Sequence, residues 1–430
     1  MCCRRNRVVA GIVVSLLVVL TACSSGDGVR CSFAQPARLA NSSWPKFQRD
    51  LQNTGAIRSR TPFEQPLIRA QFRTPDGGRF FAGPVLGNGG PASSAADRRL
   101  YVGDSNGRMY ALDSENLTPL LDSEFSFLIT SAIRTTPLVA VRQDQEALFF
   151  GSELGFVYAV TQNGSPQPQV WPLNTGGSVG LTVALHPTDG TVYAPSAARA
   201  LYGICPNGVI RFSSVSVAPL SGGPAVTPTG EVVYGGDDRL LRMERSDGFL
   251  LWAVSVSAPV RNAPVIELDE SNPSNVKAIY ALDANARLFK ISPSGQLQYV
   301  ASLSDNIGNG GPQDAVVASP ALANGRLYVA VPGGQLVAVD ANSGVPIWSF
   351  FAAGEIVAPP VVLLHESGTT VVFGSTAGDL HLVEDAGNVS GAVSTVSVGA
   401  PIRTPLAVSV AGPAPVFYVA DDSGTVSRIE

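Results

Sequence analysis

The sequence predicts an all-β chain, an eight-bladed β-propeller of four-stranded antiparallel blades closed by an N-terminal strand. Strand-like segments centred on an aromatic recur as RRLYVGD around Tyr101, ALFFGSE around Phe149, GTVYAPS around Tyr193 and EVVYGGD around Tyr234. They continue as KAIYALD around Tyr280, GRLYVAV around Tyr328, TVVFGST around Phe373 and VFYVADD around Tyr418. The gaps are 48, 44, 41, 46, 48, 45 and 45 residues, and a period in the forties marks a propeller or another array. Composition agrees. With 44 Gly, 32 Pro and only 15% charged residues among 430, the chain is rich in turn-formers and poor material for a coiled coil, a helical bundle or a charged disordered tail.

From the N-terminus, residues 1–22 read as a lipoprotein signal peptide. Arg4, Arg5 and Arg7 precede a thirteen-residue apolar run, Val8 to Leu20, and then Leu20-Thr21-Ala22-Cys23. At about 1.5 Å per residue that run spans roughly 20 Å, short of a hydrocarbon core of about 30 Å, so a cleaved signal is expected rather than a membrane span. Small residues before a cysteine look like a bacterial lipobox, which implies lipid on Cys23. Two or more acyl chains give the lasting attachment that one does not. Ser24, where Asp is the usual inner-membrane retention signal, points to the outer membrane facing the periplasm. Residues 23–43 are rich in Ser, Gly and Ala and read as a flexible tether, and residues 44–430 as the propeller.

The formal charge of −5 becomes −8 once the three leader arginines are removed, which gives no basic footprint for nucleic acid. Of the five cysteines, Cys2 and Cys3 leave with the leader and Cys23 carries lipid. Cys31 and Cys205 remain as a candidate disulfide tying the tether to the body, the alternative being two isolated thiols.

Within the repeat, a Pro followed by two mostly aliphatic residues precedes seven of the eight centres, at Pro84, Pro137, Pro224, Pro264, Pro320, Pro360 and Pro405; the third unit offers Leu181 to Leu185 instead. Pro cannot donate to a ladder, which suits the first residue of a strand. A tight turn follows each centre, as at Asp104-Ser105-Asn106-Gly107 and Gly333-Gly334. After a second turn, Gly precedes an aromatic by four residues at Gly208/Phe212, Gly248/Trp252, Gly295/Tyr299 and Gly344/Trp348. Four short strands in about 45 residues is the size of one blade. Those aromatics, with the third-strand core positions, are expected to join neighbouring blades. The eighth unit ends after Thr425 to Ile429, one strand short, and Pro66 to Phe72 is expected to complete it and close the ring.

LYVGDSNGRMYALD, RLYVAVPGGQLVAVDANSGVPIW and VVYGGDDRLLRMERSDGFLLW resemble the repeats of proteins similar to pyrroloquinoline-quinone (PQQ) dehydrogenases. Trp44-Pro45-Lys46-Phe47-Gln48-Arg49-Asp50-Leu51-Gln52-Asn53-Thr54-Gly55 looks like the opening motif common in that family. The resemblance covers residues 44–430. It implies an eight-bladed ring with tryptophan-docking contacts. The family holds quinoprotein dehydrogenases and also non-enzymatic lipoproteins of the BamB type, outer-membrane assembly scaffolds.

The dehydrogenases pair adjacent cysteines over the quinone, and the only adjacent pair here is Cys2-Cys3 in the leader. No segment matches their calcium-binding set or base Asp, so no catalytic residue, cofactor or metal is assigned. The three histidines offer little catalytic material: His381 shares a repeat slot with Tyr110, Tyr158 and Val337 and reads as a packed blade residue, His186 and His365 as solvated loop residues. Asp113 and Asp340, at one slot after the third strand, read as turn caps. One polar feature repeats: Arg134, Arg261 and Arg403 each precede an innermost strand, near the mouth of the channel on one face. Arginine anchors interfaces and reads carboxylates bidentately, so these three are the candidate partner-binding residues. The expectation is a monomeric propeller, lipid-anchored in the cell envelope, that docks envelope protein partners without catalysis. The alternative is a PQQ-dependent dehydrogenase-like or carbohydrate-binding envelope enzyme.

Overall fold

The structure, a computed structural model, describes residues 31, 37–63, 65–89, 97–120, 127–142, 144–166, 171–303 and 318–430. The leader and Cys23 lie outside them. No helix occurs among the described residues. Their strands form eight sheets, each built on a four-stranded antiparallel meander, and in two of them a short strand from the start of the chain is added on the inner edge. The first blade runs Val85–Gly87, Arg99–Gly103, Arg108–Asp113 and Phe127–Leu128. In the eighth, Ala407–Ser409, Val416–Ala420 and Thr425–Ile429 are completed on the outside by Ile68–Arg73. That strand pairs antiparallel in the register Ile68↔Ile429 to Arg73↔Thr425, so the ring is closed by the N-terminal strand. Phe72 then packs on Tyr110 of the first blade with ring centroids 5.0 Å apart, which joins the two ends of the repeat.

Neighbouring blades are joined by a relay of aromatics and glycines. The third blade's Phe212 lies where a side chain on Gly248 of the fourth would stand; Trp252 of the fourth covers Gly295 of the fifth, and Tyr299 of the fifth covers Gly344 of the sixth. The ring nitrogens reach across as well: Trp171 donates to the Pro206 carbonyl, Trp252 to Pro293 and Trp348 to Asp385, each in the next blade. Most of the central tyrosines act likewise, Tyr234 being tied to Glu244 of its own blade. Tyr101 donates to Glu146, Tyr328 to Asp385, Tyr193 to the Gly230 carbonyl and Tyr418 to the Ser114 carbonyl. Burial pushes the Asp385 carboxyl up, but the donors Tyr328, Arg326 and Trp348 outweigh it and hold the group below its ordinary range.

The opening segment fills the channel. An innermost strand presents an unpaired edge toward the axis, and buried amides there need acceptors. Here the amide two residues after six of the seven inner-strand prolines finds one: Leu86 bonds to Trp44 O, Val139 to Pro45 O, Val226 to Leu51 O, Ile266 to Gln52 O, Leu322 to Thr54 O and Val362 to Gly55 O, at 2.7–3.0 Å. The Pro carbonyls are used too. Asn53 Nδ2 donates to Pro224 O and Pro264 O, and Gln48 Nε2 to Pro320 O, all at 3.1 Å. Fully buried Lys46 braces the coil from within, donating to Phe47 O (2.6 Å), Asp50 O (2.8 Å) and Asn53 Oδ1 (2.5 Å). Burial pulls its ammonium down to about 7, against the upward pull of Asp50. Ahead of this coil, Arg38–Leu39 pairs with the second blade's inner strand, and after it Ala56–Arg58 runs parallel to the seventh's.

Candidate functional surface

In an up-and-down meander, the links between blades and the second-to-third-strand turns share one end of the ring. A backbone bond clamps each turn to the incoming link: Glu153 N to Ala132 O, Asp237 N to Pro219 O, Ala284 N to Pro259 O and Asp422 N to Pro401 O. Arg134, Arg261 and Arg403 each stand two residues after such an acceptor, on this shared end.

Arg134 Nε lies 3.2 Å from Glu153 and Arg403 Nε 2.8 Å from Asp422, each facing the residue that makes the clamp. For Arg261 that residue is Ala284, and its Nε instead meets Asp237 of the preceding blade at 3.0 Å. The arginine side chains are 46%, 43% and 51% exposed, so the pairs are of the weak, exchangeable surface kind. The Arg134 guanidinium also lies 4.3 Å from the ring centre of Phe81, which is 37% exposed. The three sit on the links into the second, fifth and eighth blades, spaced three, three and two blades around the ring. They line an end of mixed charge rather than converging on one small ligand. Beside Arg134 lies a cavity of about 230 Å³ walled by the next two links, from Ser178 to Leu181 and at Ser221.

The opposite end carries the other turns. Cys31 and Cys205 are bonded there, with Cα atoms 5.4 Å apart. Asp113 caps its turn by accepting the amides of Glu115 and Asn116, and Asp340 those of Asn342 and Ser343. A hollow of about 630 Å³ lies against the channel coil, with Ser42, Arg49, Asp50 and Arg58 in its wall.

The histidines divide differently from their sequence reading. His381 is packed, stacked on Phe373 with centroids 5.2 Å apart. His186, expected to be solvated, is only 6% exposed. Its Nδ1 accepts the amides of Thr188 and Asp189 at 3.2 and 3.1 Å, and its ring occupies the space that the absence of a side chain on Gly230 leaves. Burial lowers its pKa, with Asp189 pulling the other way. His365 is tied to Ser367 and Thr370.

The dehydrogenase cofactor does not fit these residues. No three His, Cys, Asp or Glu side chains among the described residues group as cation ligands, Cys31 and Cys205 are bonded far out on the rim, and the axis is packed by Lys46, Phe47, Gln48 and Asn53.

Residues 292–429 match the family model described as outer membrane protein assembly factor BamB. No curated protein matches the sequence. Among solved structures, the fold is similar to BamB from Moraxella catarrhalis, at 14% identity and a TM-score of 0.60 over 85% of this chain and 98% of that one. It is similar too to the quinohemoprotein alcohol dehydrogenase from Comamonas testosteroni (12%, 0.68, over 90% and 80%) and to Sqt1 from Saccharomyces cerevisiae (12%, 0.67, over 84% and 98%). Identities this low establish the shared ring and nothing finer.

Proposed function

We propose that this propeller of PQQ-like repeats serves as a non-catalytic docking scaffold of the cell envelope, anchored by lipid on Cys23 and working as a monomer in outer-membrane protein assembly. The observation that carries the reading is the match of its last repeats to the BamB family model. The geometry supports it: a rigid ring with a packed axis leaves its ends and perimeter as working surfaces, and loops on a rigid core suit protein docking. Arg134, Arg261 and Arg403 can exchange their exposed carboxylates for those of an acidic partner loop, since each present pair is weakly held. Affinity purification of the tagged lipoprotein from its native envelope tests this. Envelope protein partners are expected, and their loss is expected on replacing the three arginines by alanine. Recovery of the chain alone overturns the scaffold reading.

A second reading, an envelope enzyme of the quinoprotein kind, draws on the likeness to the alcohol dehydrogenase. Addition of pyrroloquinoline quinone with calcium separates the two. An unchanged melting temperature is expected, and a rise of several degrees favours the enzyme.

A further inference from the structure

The tether joins the ring at a defined point. Cys31 is bonded to Cys205, which opens the turn between Ala200–Ile204 and Ile210–Val215 of the third blade. Eight residues carry the chain from Cys31 back to Cys23. Fully extended they reach about 28 Å, so an acyl group on Cys23 lies no farther than that from this turn.

The equivalent turns from here onward have an unusual composition. In the third to sixth blades the residues leaving the turn include Ile210 (40% exposed), Phe249 (57%), Leu250 (47%), Leu251 (44%), Leu297 (48%) and Val345 (58%). The matching residues after the first and second blades' turns are Thr118-Pro119 and Ser165-Pro166. The aromatic relay ties these turns to one another in order around the ring, because Phe212 covers Gly248, Trp252 covers Gly295 and Tyr299 covers Gly344. Exposed apolar side chains gathered at neighbouring turns on one end of a ring mark a contact site. Here it begins at the very turn to which the tether is bonded.

We propose that this row is the edge on which the ring rests against the phospholipid surface, an inference that rests on the reading of Cys23 as the lipidated residue. The anchor supplies attachment and the row supplies orientation. The row lies at the end opposite the arginine-bearing links, so resting on it leaves the mixed-charge end turned away from the bilayer and open to partners.

The test uses the full lipidated chain on vesicles of phosphatidylethanolamine and phosphatidylglycerol. It is compared with a variant carrying Phe249→Ser, Leu250→Ser, Leu251→Ser and Val345→Ser, all at exposed positions. Amide hydrogen exchange is read at 208–212 and 295–299, outside the substituted residues, and the mass of the Cys23 peptide is read on the same samples. The expected result is that both proteins stay vesicle-bound through the lipid, while the unsubstituted chain exchanges about tenfold more slowly at those turns. Equal exchange, with lipid present on Cys23, overturns the resting edge and leaves the anchor reading standing. A Cys23 peptide without lipid overturns both. Slow exchange that appears without vesicles and deepens with protein concentration assigns the row to a second copy of the chain, and the membrane edge falls.

Discussion

Replacing Gly295 by alanine tests how the blades are joined. Gly295 has φ +82° and an added Cβ would stand 2.5 Å from Trp252 Cγ, too close for any real contact. The left-handed backbone costs a non-glycine residue about 1–2 kcal/mol. Displacing the indole adds the loss of its 3.0 Å hydrogen bond to Pro293 O, about 1 kcal/mol net, and of part of its packing, so the total is about 3–4 kcal/mol. Gly333 supplies the matched control, since its φ is +91° and nothing lies within 4 Å of its added Cβ; Gly333→Ala costs only the backbone part. For a ring of roughly 400 residues the unfolding entropy is about 0.8 kcal/mol per kelvin, so the expected falls in melting temperature are about 4–5 °C and about 1–2 °C. In a Trp252→Ala background, Gly295→Ala should cost no more than Gly333→Ala does. The assay is thermal unfolding followed by circular dichroism. Equal losses at the two glycines in the intact chain refute inter-blade docking as the reason for Gly295.

Deleting residues 62–73 removes the outer strand of the eighth blade and the buried Phe72 contact with Tyr110. An aromatic lost from a core costs about 3–5 kcal/mol before the ladder is counted, so a fall in melting temperature of more than about 5 °C is expected, and unchanged stability refutes the closure. Alanine at Arg134, Arg261 and Arg403 together breaks three exposed pairs worth about 0.2–1 kcal/mol each, so melting should move by no more than about 4 °C while partner capture is lost. A folded variant that retains every partner removes the arginines from the interface. His381 is lowered by burial, against a smaller upward pull from Asp379, and its Nε2 has no hydrogen-bond partner among the described residues. Because the folded value lies below the unfolded one of about 6.5, the stability tied to its neutral form is present above that pH and lost as pH falls. His381→Phe should therefore show a smaller loss of unfolding free energy than the unsubstituted chain between about pH 7.5 and 5; parallel curves refute this.

Period and strand starts were legible in the sequence because each depends on residues close together in the chain, and ring closure because the eighth unit ends one strand short while a strand-like segment precedes the first. A proline at a strand start, a glycine in a turn and an aromatic four residues on are local requirements, repeated until they stand out. The partners were not legible. Tyr328 meets Asp385 fifty-seven residues away, and the repeat fixes where the hydroxyl points without fixing what receives it. His186 was misread because its burial depends on Gly230, a residue of the next blade. For Arg261 the local motif located the side chain, but its carboxylate comes from the preceding blade, since its own turn offers Ala284. At the candidate surface, then, the sequence revealed the repeated arginines and the geometry revealed that each is already engaged.

The channel coil determines where such a ring can work. Closing eight meanders removes the outer edge of the repeat but turns every first strand's free edge toward the axis, where its amides are buried. The opening segment meets six of those edges with carbonyls taken in chain order, and it can do so because the prolines set the inner strands to one register, with an amide free two residues later. Lys46, Gln48 and Asn53 then satisfy the coil's own polar groups and the Pro carbonyls, so the axis is packed by protein rather than left as a ligand cavity. A chain that fills its own axis this way leaves its ends and perimeter as the surfaces open to the proposed partners. Those are one end bearing exposed, exchangeable ion pairs and, opposite it, a perimeter whose apolar tips begin where the tether is bonded. On the proposed docking role, substitutions that change partner binding belong on those two surfaces, whereas changes in Trp44 to Gly55 act on the fold.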